Sequence, residues 1–389
     1  MVEAPHPREP LPIIQKIERA LAALGAWLDR LPPIWFATIT PLAAVVVTVF
    51  FYSPRYRIWA GFYPHEFEWT RCLNFLVQCQ EPFRAGVESA LQWRLLPALI
   101  GHLFWGQVEL LLLISPVGLV AVLIYLTLTL ERLTNRRSAF LGVLLCATTS
   151  TVITPIDWLG INDPWAWLCL LVAAFSPKRW ALPLVCVLAP WVDERFILAL
   201  PLALLIRHRD DGWRTHARSF LGSGVILLPY VLARLYVVWH SGSVDHRFLH
   251  DALVICQAWL SFLPLGWWLA YRGLWFAILF VCVQRGWRFA LVLVPTLAVT
   301  GVLAADITRS AADILPCAVL GLVLIHQKWP ERAGLIFTLL LAFQLATPTA
   351  HVVAWRINPI LPLPLELLPS ALPSSSDPSL IINLKNRPA

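Results

Sequence analysis

Apolar runs long enough to cross a lipid bilayer recur from one end of the sequence to the other. A helix of about 20 apolar residues matches the hydrocarbon thickness of a bilayer. Because backbone polar groups in lipid must be satisfied within the chain, such runs predict helices. We therefore expect an all-α fold, a polytopic transmembrane helical bundle of about 10–12 membrane helices that include short or re-entrant ones. The predicted spans are residues 32–52, 108–130, 138–156, 163–176, 219–239, 252–283 (one long helix or two short ones), 288–304, 310–326 and 333–353.

The composition agrees with this fold class and divides the chain into three parts. Charged residues make up 14% of the 389 residues, whereas a soluble domain carries about 25%. Residues 1–30 place apolar side chains at helical spacing among charges of both signs, which indicates a cytoplasmic interfacial amphipathic helix rather than a cleavable signal. Residues 31–355 form the predicted transmembrane domain, with a polar outer loop at 53–94 and a short in-plane or re-entrant helix after it. Residues 356–389 are a Pro- and Ser-rich tail, predicted to be extended or disordered.

The net charge of +7 is explained by the positions of the basic residues. Lysine and arginine cluster in short loops between apolar runs, which is the positive-inside distribution and excludes a nucleic-acid partner. The bias is strongest if the N-terminus is cytoplasmic and if residues 180–190 and 196–206 form a hairpin of two short helices. We predict that orientation and that hairpin.

The segment LAPWVDERFILALP, residues 188–201, places three consecutive ionisable residues inside an apolar run. A charge at the centre of a membrane helix costs at least about 2.5–3.5 kcal/mol, so such residues are candidates for a functional site. The predicted orientation brings other interrupting charges to the same non-cytoplasmic face. We expect them to line a polar cavity open to that face, and the candidates are Glu66, Glu68, Arg94, Asp163, Asp193, Glu194, Arg195, Asp306 and Arg309.

Several of these candidates also have a purely structural explanation. Glu194 opens an apolar helix, where a carboxylate is favourable, although Asp193 can serve as the cap and leave Glu194 free. Asp163 stands before Pro164, which is an N-cap signature. Asp306 and Arg309 either form a local ion pair or leave the arginine to bind an anionic phosphate. Both explanations remain open for each position.

The first outer loop has its own alternatives. Arg94 beside Trp93 is either an interfacial snorkelling side chain or a phosphate ligand. Glu66 and Glu68 are either solvated loop residues or a general base, and they leave a divalent metal open as a cofactor. The histidines lack a metal-ligand spacing, so no specific metal site is predicted. A disulfide between Cys72 and Cys79 is left open.

Four short motifs, taken in order, resemble the GT-C superfamily of polytopic glycosyltransferases, which use polyprenyl-phosphate-linked sugars. They are most similar to poorly characterised bacterial membrane proteins of that architecture. The resemblance covers roughly residues 30–350. The motifs are WRLLP (Arg94, Pro97), NDPW (Asp163), DERFILALP (Glu194, Pro201) and DITRSAADILP (Asp306, Arg309, Pro316).

The resemblance implies a GT-C-like fold in the bacterial inner membrane and sugar transfer from a polyprenyl-phosphate donor to an acceptor glycan, lipid or protein on the non-cytoplasmic face. It gives Glu66 or Glu68 the role of catalytic carboxylate, and it assigns substrate binding to the other seven candidates. Members of the superfamily usually carry an aspartate in the first outer loop. This chain has no Asp between Asp29 and Asp157, so Glu66 or Glu68 must substitute, or the protein lacks that chemistry.

Two other functions are compatible with the sequence. One is a transporter or lipid-handling membrane protein, although paired interrupted segments in two halves are not found and the charges lie at one face. The other is a non-catalytic scaffold of an envelope polysaccharide complex, which the missing aspartate permits.

Overall fold

The computed structural model describes residues 12–52, 75–83, 93–104, 108–157, 161–241, 260–303, 306–353 and 356–366. Within these ranges the fold is all-α and polytopic, as predicted. Five helical segments are long and apolar enough to cross a membrane: Pro33–Phe51, Leu113–Leu133, Trp213–Tyr236, Leu260–Arg285 and Ile307–Lys328. Shorter apolar helices accompany them at Asp163–Phe175, Ala181–Trp191, Trp287–Gly301 and Ala333–Ala346.

The helices of the described residues follow in chain order, and most neighbours are separated by only a few residues. They are α1 (Pro12–Arg30), α2 (Pro33–Phe51), α3 (Leu95–Leu103), α4 (Val108–Leu133), α5 (Arg136–Ala147), α6 (Ser150–Asp157), α7 (Asp163–Phe175), α8 (Ala181–Leu188), α9 (Arg195–Arg207), α10 (Trp213–Ser241), α11 (Leu263–Tyr271), α12 (Trp275–Arg285), α13 (Trp287–Leu303), α14 (Ile307–Ser310), α15 (Leu315–Lys328), α16 (Ala333–Ala346) and α17 (Leu363–Glu366). Two strands, β1 (Thr349–Val353) and β2 (Arg356–Ile360), form an antiparallel pair.

The predicted hairpin between residues 180 and 206 is confirmed. Helix α8 leads away from Lys178, and a 3-10 turn at Ala189–Trp191 reverses the chain into α9. The end of α9 returns to the starting point, where Arg207 Nη2 donates to the Lys178 carbonyl at 3.3 Å and Nη1 donates to the Ala173 carbonyl at 3.0 Å. Residues 189–194 therefore lie at the opposite end of the bundle from residue 178.

Two predicted spans are broken helices. The span predicted at 138–156 divides into α5 and α6. Between them, the Thr148 hydroxyl donates to the Leu144 carbonyl at 2.8 Å and the Thr149 hydroxyl donates to the Cys146 carbonyl at 2.7 Å. Such bonds satisfy the backbone where the helical ladder is interrupted. The described part of the span predicted at 252–283 is interrupted between α11 and α12, where Arg272 has φ 41°.

The span predicted at 333–353 is too long. Helix α16 ends at Ala346, and Thr347 is extended because it precedes Pro348, which disfavours the helical conformation. The chain continues as β1, which pairs with β2 in the segment predicted as an extended or disordered tail. An ordered hairpin therefore joins the transmembrane domain to the start of that tail, and residues 367–389 lie outside the described ranges.

The centre of the bundle is the segment formed by α14 and α15. Every residue from Ile307 to Ile325 is buried. Gly321 lies so close to Ala277 of α12 that a side chain at Gly321 would meet the Ala277 backbone carbonyl. Small residues at such contacts allow two membrane helices to pack closely.

Basic side chains gather at one end of the bundle, the end that includes Lys178. Arg136 Nε pairs with Glu131 at 2.7 Å, and Arg136 Nη1 donates to the Leu28 carbonyl of α1 at 3.0 Å. Arg285 pairs with Asp210 at 2.8 Å at this end. The helix predicted near the N-terminus is thus present and attached, with Leu21 and Leu28 buried, and its position in the membrane interface stays a prediction.

Candidate functional site

Opposite the basic end, four helix starts bring charged residues together. Arg94 directly precedes α3, Asp163 opens α7, and Arg195 opens α9. Asp193 and Glu194 lie in the turn before α9, and Asp306 caps α14. Helix N-termini carry a partial positive charge, which favours carboxylates there. We call Arg94, Asp163, Asp193, Glu194, Arg195, Asp306 and Arg309 the charged cluster.

Arg195 is the centre of the cluster. Its Nε and Nη2 bind the two oxygens of Asp193 at 2.9 and 2.6 Å, and Nη2 also binds Asp163 Oδ2 at 2.6 Å. Its Nη1 donates to Ser310 Oγ at 3.1 Å. All three guanidinium nitrogens of Arg195 thus donate to protein groups, and Asp193 is bound in the bidentate geometry that a planar guanidinium favours. Arg195 therefore has few N–H donors left for a ligand.

Arg94 reaches the same carboxylates from the opposite side. Its Nη2 is 2.9 Å from Asp193 Oδ2, its Nη1 is 3.7 Å from Asp163 Oδ1, and its Nε is 3.6 Å from Glu194 Oε2. Burial disfavours the charge of Arg94, but the three carboxylates outweigh it and raise the pKa of Arg94 above its ordinary value. Burial likewise favours the neutral acid of Asp193, but Arg195 and Arg94 hold its pKa well below the usual range.

Arg309 is the least engaged arginine of the cluster. Its Nε is 2.9 Å from Asp163 Oδ2 and 3.9 Å from Asp306 Oδ2. Asp306 instead uses Oδ1 to accept from the Arg309 backbone nitrogen at 3.0 Å and from Thr308 Oγ1 at 3.2 Å. Across the described residues the two terminal nitrogens of Arg309 make no hydrogen bond. No described residue therefore competes with an anion for these two nitrogens.

The structure decides several of the alternatives left by the sequence. Asp193 caps α9 by accepting from the Arg195 backbone nitrogen at 2.9 Å, and the Glu194 side chain makes no capping bond. The N-cap explanation of Asp163 is wrong, since Asp163 is already helical and its carboxylate binds arginines. Arg94 is no snorkelling side chain, because it is 11% exposed and paired.

Two further predictions concern the first outer loop. Glu66 and Glu68 lie outside the described residues, so their predicted catalytic role stays a prediction. Cys79 is a buried free thiol, so the disulfide with Cys72 is not formed.

An apolar groove of about 640 Å³ begins beside the charged cluster. Val192, adjacent to Asp193, and Leu96, two residues after Arg94, belong to its wall. Its remaining lining is almost wholly apolar and comes from α3, α4, α7 and α8: Pro97, Ile100, Phe104, Leu113, Ile114, Val117, Trp165, Cys169 and Leu188. The size falls within the range of about 300–1,000 Å³ that is typical of ligand sites.

The chain was compared with protein families, curated proteins and solved structures. None of the three comparisons gives a match. The chemistry of the charged cluster and the groove is therefore what indicates a function.

Four further residues belong to this region and were not singled out from the sequence. Ser310 binds Arg195, and Asp313 is buried nearby with Oδ2 unpaired among the described residues. On α10, Arg234 Nη1 donates to Tyr230 Oη at 3.3 Å, and its guanidinium lies 5.4 Å from the Trp93 ring centre. Arg234 and Asp313 both interrupt apolar runs. This sequence feature could have identified them as candidate site residues.

A metal site is not evident in the part of the chain that is described. No group of three or more His, Cys, Asp or Glu side chains there could hold a metal ion. The carboxylates of the charged cluster face guanidinium groups instead. Within the described ranges, the arrangement is suited to binding an anionic group beside an apolar chain.

Proposed function

We propose that the protein is a membrane glycosyltransferase that takes a sugar from a polyprenyl-phosphate donor and passes it to an acceptor glycan, lipid or protein. The observation that carries the proposal is the proximity of an apolar groove to a largely buried cluster of arginines, since the wall residues Leu96 and Val192 neighbour Arg94 and Asp193 in the chain. A polyprenyl phosphate has the matching construction, an apolar chain that ends in an anion. The motifs that resemble the GT-C superfamily supply the arginines and carboxylates of this cluster.

In this proposal each arginine has a separate task. Arg309 and Arg94 bind the phosphate, because Arg309 has two terminal nitrogens without a described hydrogen bond and Arg94 is 11% exposed. Arg195 holds Asp163 and Asp193 in place. The lipid chain lies along Leu96, Val192 and the rest of the groove.

The reaction follows from this placement. The oxygen of an acceptor hydroxyl attacks the anomeric carbon, a new carbon–oxygen bond forms, and the bond from that carbon to the phosphate oxygen breaks. A carboxylate accepts the hydroxyl proton, and the resemblance gives this role to Glu66 or Glu68. The phosphate leaves with the bonding electrons, and Arg94 and Arg309 stabilise its growing charge. In this proposal the face lies outside the cytoplasm of a bacterial cell, an orientation that the positive-inside pattern supports.

Lipid handling or transport without covalent chemistry, or a scaffold function, is the second candidate. It is favoured by the pairing inside the cluster, where three arginines face four carboxylates and much of the charge is neutralised internally. A paired network of this kind also serves as a rigid element.

The test measures binding and turnover on the purified full chain in detergent micelles. Farnesyl phosphate is expected to bind more tightly than either farnesol or inorganic phosphate. Farnesol measures the contribution of the apolar chain alone, and inorganic phosphate measures that of the anion alone. A panel of polyprenyl-phosphate sugars with membrane-extract acceptors is then screened for release of polyprenyl phosphate. Binding without release from any donor would support the second candidate. Absence of farnesyl phosphate binding would exclude the transferase and the lipid-handling function and would leave the scaffold.

Replacing Arg309 with glutamine is expected to weaken farnesyl phosphate binding at least about tenfold, because a charged hydrogen-bond donor to the phosphate is lost. Farnesol binding should not change. Arg285→Gln is the control, since Arg285 pairs with Asp210 at the basic end. Equal farnesyl phosphate affinity for Arg309→Gln and the control would contradict the assignment of Arg309.

The width of the groove is expected to depend on Gly118. A Cβ atom at Gly118 would lie 2.8 Å from Trp165 Nε1, and that nitrogen donates to the Ile114 carbonyl at 2.9 Å. Gly118→Val must displace this indole from the groove wall and should weaken farnesyl phosphate binding about tenfold, with inorganic phosphate binding unchanged. Gly222→Val is the matched control, because a side chain there meets nothing within 4 Å. An unaltered affinity would place the lipid chain elsewhere.

A further inference from the structure

Glu194 differs from every other carboxylate of the charged cluster in its exposure. Its side chain is 26% exposed, whereas those of Asp163, Asp193 and Asp306 are 1%, 2% and 6% exposed. Glu194 also makes no capping bond to α9, since Asp193 performs that task. Its carboxylate is therefore not required by the local backbone.

The ion pair of Glu194 is the loosest contact that Arg94 makes with its two adjacent acids. Glu194 Oε2 is 3.6 Å from Arg94 Nε and makes no hydrogen bond to a described residue, while Asp193 Oδ2 is 2.9 Å from Arg94 Nη2. Asp193 is additionally fixed by three hydrogen bonds from Arg195. Asp163 Oδ1 is 3.7 Å from Arg94 Nη1, but Asp163 is also held by Arg195 at 2.6 Å and by Arg309 at 2.9 Å. If an anion competes for Arg94, Glu194 is therefore the partner that the fewest other described contacts hold in place.

A phosphate must compete in this way, because the cluster has no spare positive charge. Its three guanidinium groups already face four carboxylates. A phosphate adds negative charge, and like charges at close range disfavour binding until one carboxylate moves away. The charge balance thus requires a mobile carboxylate. Glu194 is selected by its greater exposure and by the absence of a hydrogen bond from any described residue to its Oε2 atom, whereas Asp163, Asp193 and Asp306 are held by further bonds.

We propose that the phosphate of the lipid donor displaces Glu194 from Arg94, and that the released Glu194 carboxylate accepts the proton of the acceptor hydroxyl. This inference rests on the proposed function and assigns its proton acceptor within the charged cluster instead of the first outer loop. In the step, the hydroxyl oxygen bonds to the anomeric carbon, its proton passes to Glu194, and the phosphate leaves with the electrons of the broken bond. Glu194 then becomes available as a base only when the donor is bound, so donor binding is coupled to deprotonation of the acceptor.

The surroundings of Glu194 suit an acceptor with a sugar ring. Trp191, three residues before it, packs edge-on against Tyr230 with ring centres 4.8 Å apart. Tyr230 lies within electrostatic reach of both Glu194 and Arg234. Tyr230 is buried and Trp191 is half-buried. A half-buried aromatic face beside polar groups, such as that of Trp191, can bind a hydroxylated ring through its apolar face and its edge. The released carboxylate would therefore meet acceptor hydroxyls on this side.

The test compares Glu194→Gln with wild type in two assays. Because the substitution removes a competitor for Arg94, farnesyl phosphate should bind about two- to fivefold more tightly, while farnesol binding stays unchanged. Release of polyprenyl phosphate from the productive donor and acceptor should fall at least about 100-fold, since the proton acceptor is lost. Glu131→Gln is the matched control: Glu131 is 25% exposed and pairs with Arg136 at 2.7 Å at the basic end.

The outcomes separate this inference from the proposed function. Weaker or unchanged farnesyl phosphate binding by Glu194→Gln would overturn the displacement, and wild-type turnover by that variant would overturn the base. In both cases wild type still binds and releases, so only the inference fails. A wild type that neither binds farnesyl phosphate nor releases product from any donor rejects the proposed function, and the inference with it.

Discussion

Replacing Arg195 with methionine is expected to lower the free energy of unfolding by about 5 kcal/mol, the upper end of the range for breaking a buried ion pair. The guanidinium group binds both Asp163 and Asp193, whose side chains are 1% and 2% exposed. Methionine fills similar volume but leaves two buried carboxylates with fewer partners. The loss is read from thermal unfolding in detergent, followed by the fluorescence of the 20 tryptophans.

Two further variants show whether the loss comes from the carboxylates. Arg195→Met combined with Asp163→Asn should recover part of the stability, because one stranded charge is removed. Arg285→Met should cost less than about 1 kcal/mol, since its partner Asp210 is 68% exposed. An Arg195→Met protein that unfolds at the wild-type temperature would show that the pairing contributes no stability.

Replacing Arg272 with methionine is expected to cost about 3 kcal/mol, although no carboxylate of the described residues pairs with this buried arginine. Its Nη1 donates to the Thr347 carbonyl at 3.1 Å, and its Nη2 donates to the Thr148 carbonyl. These residues are the C-caps of α16 and α5. Two helix C-termini together supply a negative potential comparable to one charge, and hydrogen bonds to a charged donor contribute about 1.5–3 kcal/mol each.

Other contacts explain why the chain has an arginine here at all. The guanidinium lies 4.6 Å from the Tyr52 ring centre, and Tyr52 Oη donates to the Gln344 carbonyl at 2.6 Å. Arg272 also has φ 41°, a left-handed conformation that costs a non-glycine residue energy. The hydrogen bonds to the C-caps of α5 and α16 stabilise this conformation. They also connect the break between α11 and α12 to the ends of α5 and α16.

Thermal unfolding of Arg272→Lys and Arg272→Met tests this role. Lysine keeps the positive charge but lacks the planar guanidinium group that binds two carbonyls. The loss of stability in Arg272→Lys should therefore lie between those of wild type and Arg272→Met. Arg209→Met is the control, because its partner Asp210 is exposed and little change is expected. Equal stability of Arg272→Met and the control would contradict the capping role of Arg272.

The sequence alone determined the fold class, because membrane helices leave a local signal. The run at residues 32–52 became α2, and the hairpin at 180–206 followed from the position of the basic loops. It also determined that Arg94, Asp163, Asp193 and Arg309 share one end of the bundle, since span order fixes which helix ends lie together. These inferences need only the length and charge of each segment.

Only the tertiary structure decided how those charges pair. The partners of Asp163 come from Arg94, Arg195 and Arg309, which are 69, 32 and 146 positions away in the sequence. The same convergence showed that Asp193 caps α9 and that Glu194 is left with a loose contact. The groove and the β1–β2 hairpin likewise depend on neighbours distant in sequence. Ion pairing and cavity shape are set by distances of a few ångströms between separate helices, and a one-dimensional pattern of residues does not encode those distances.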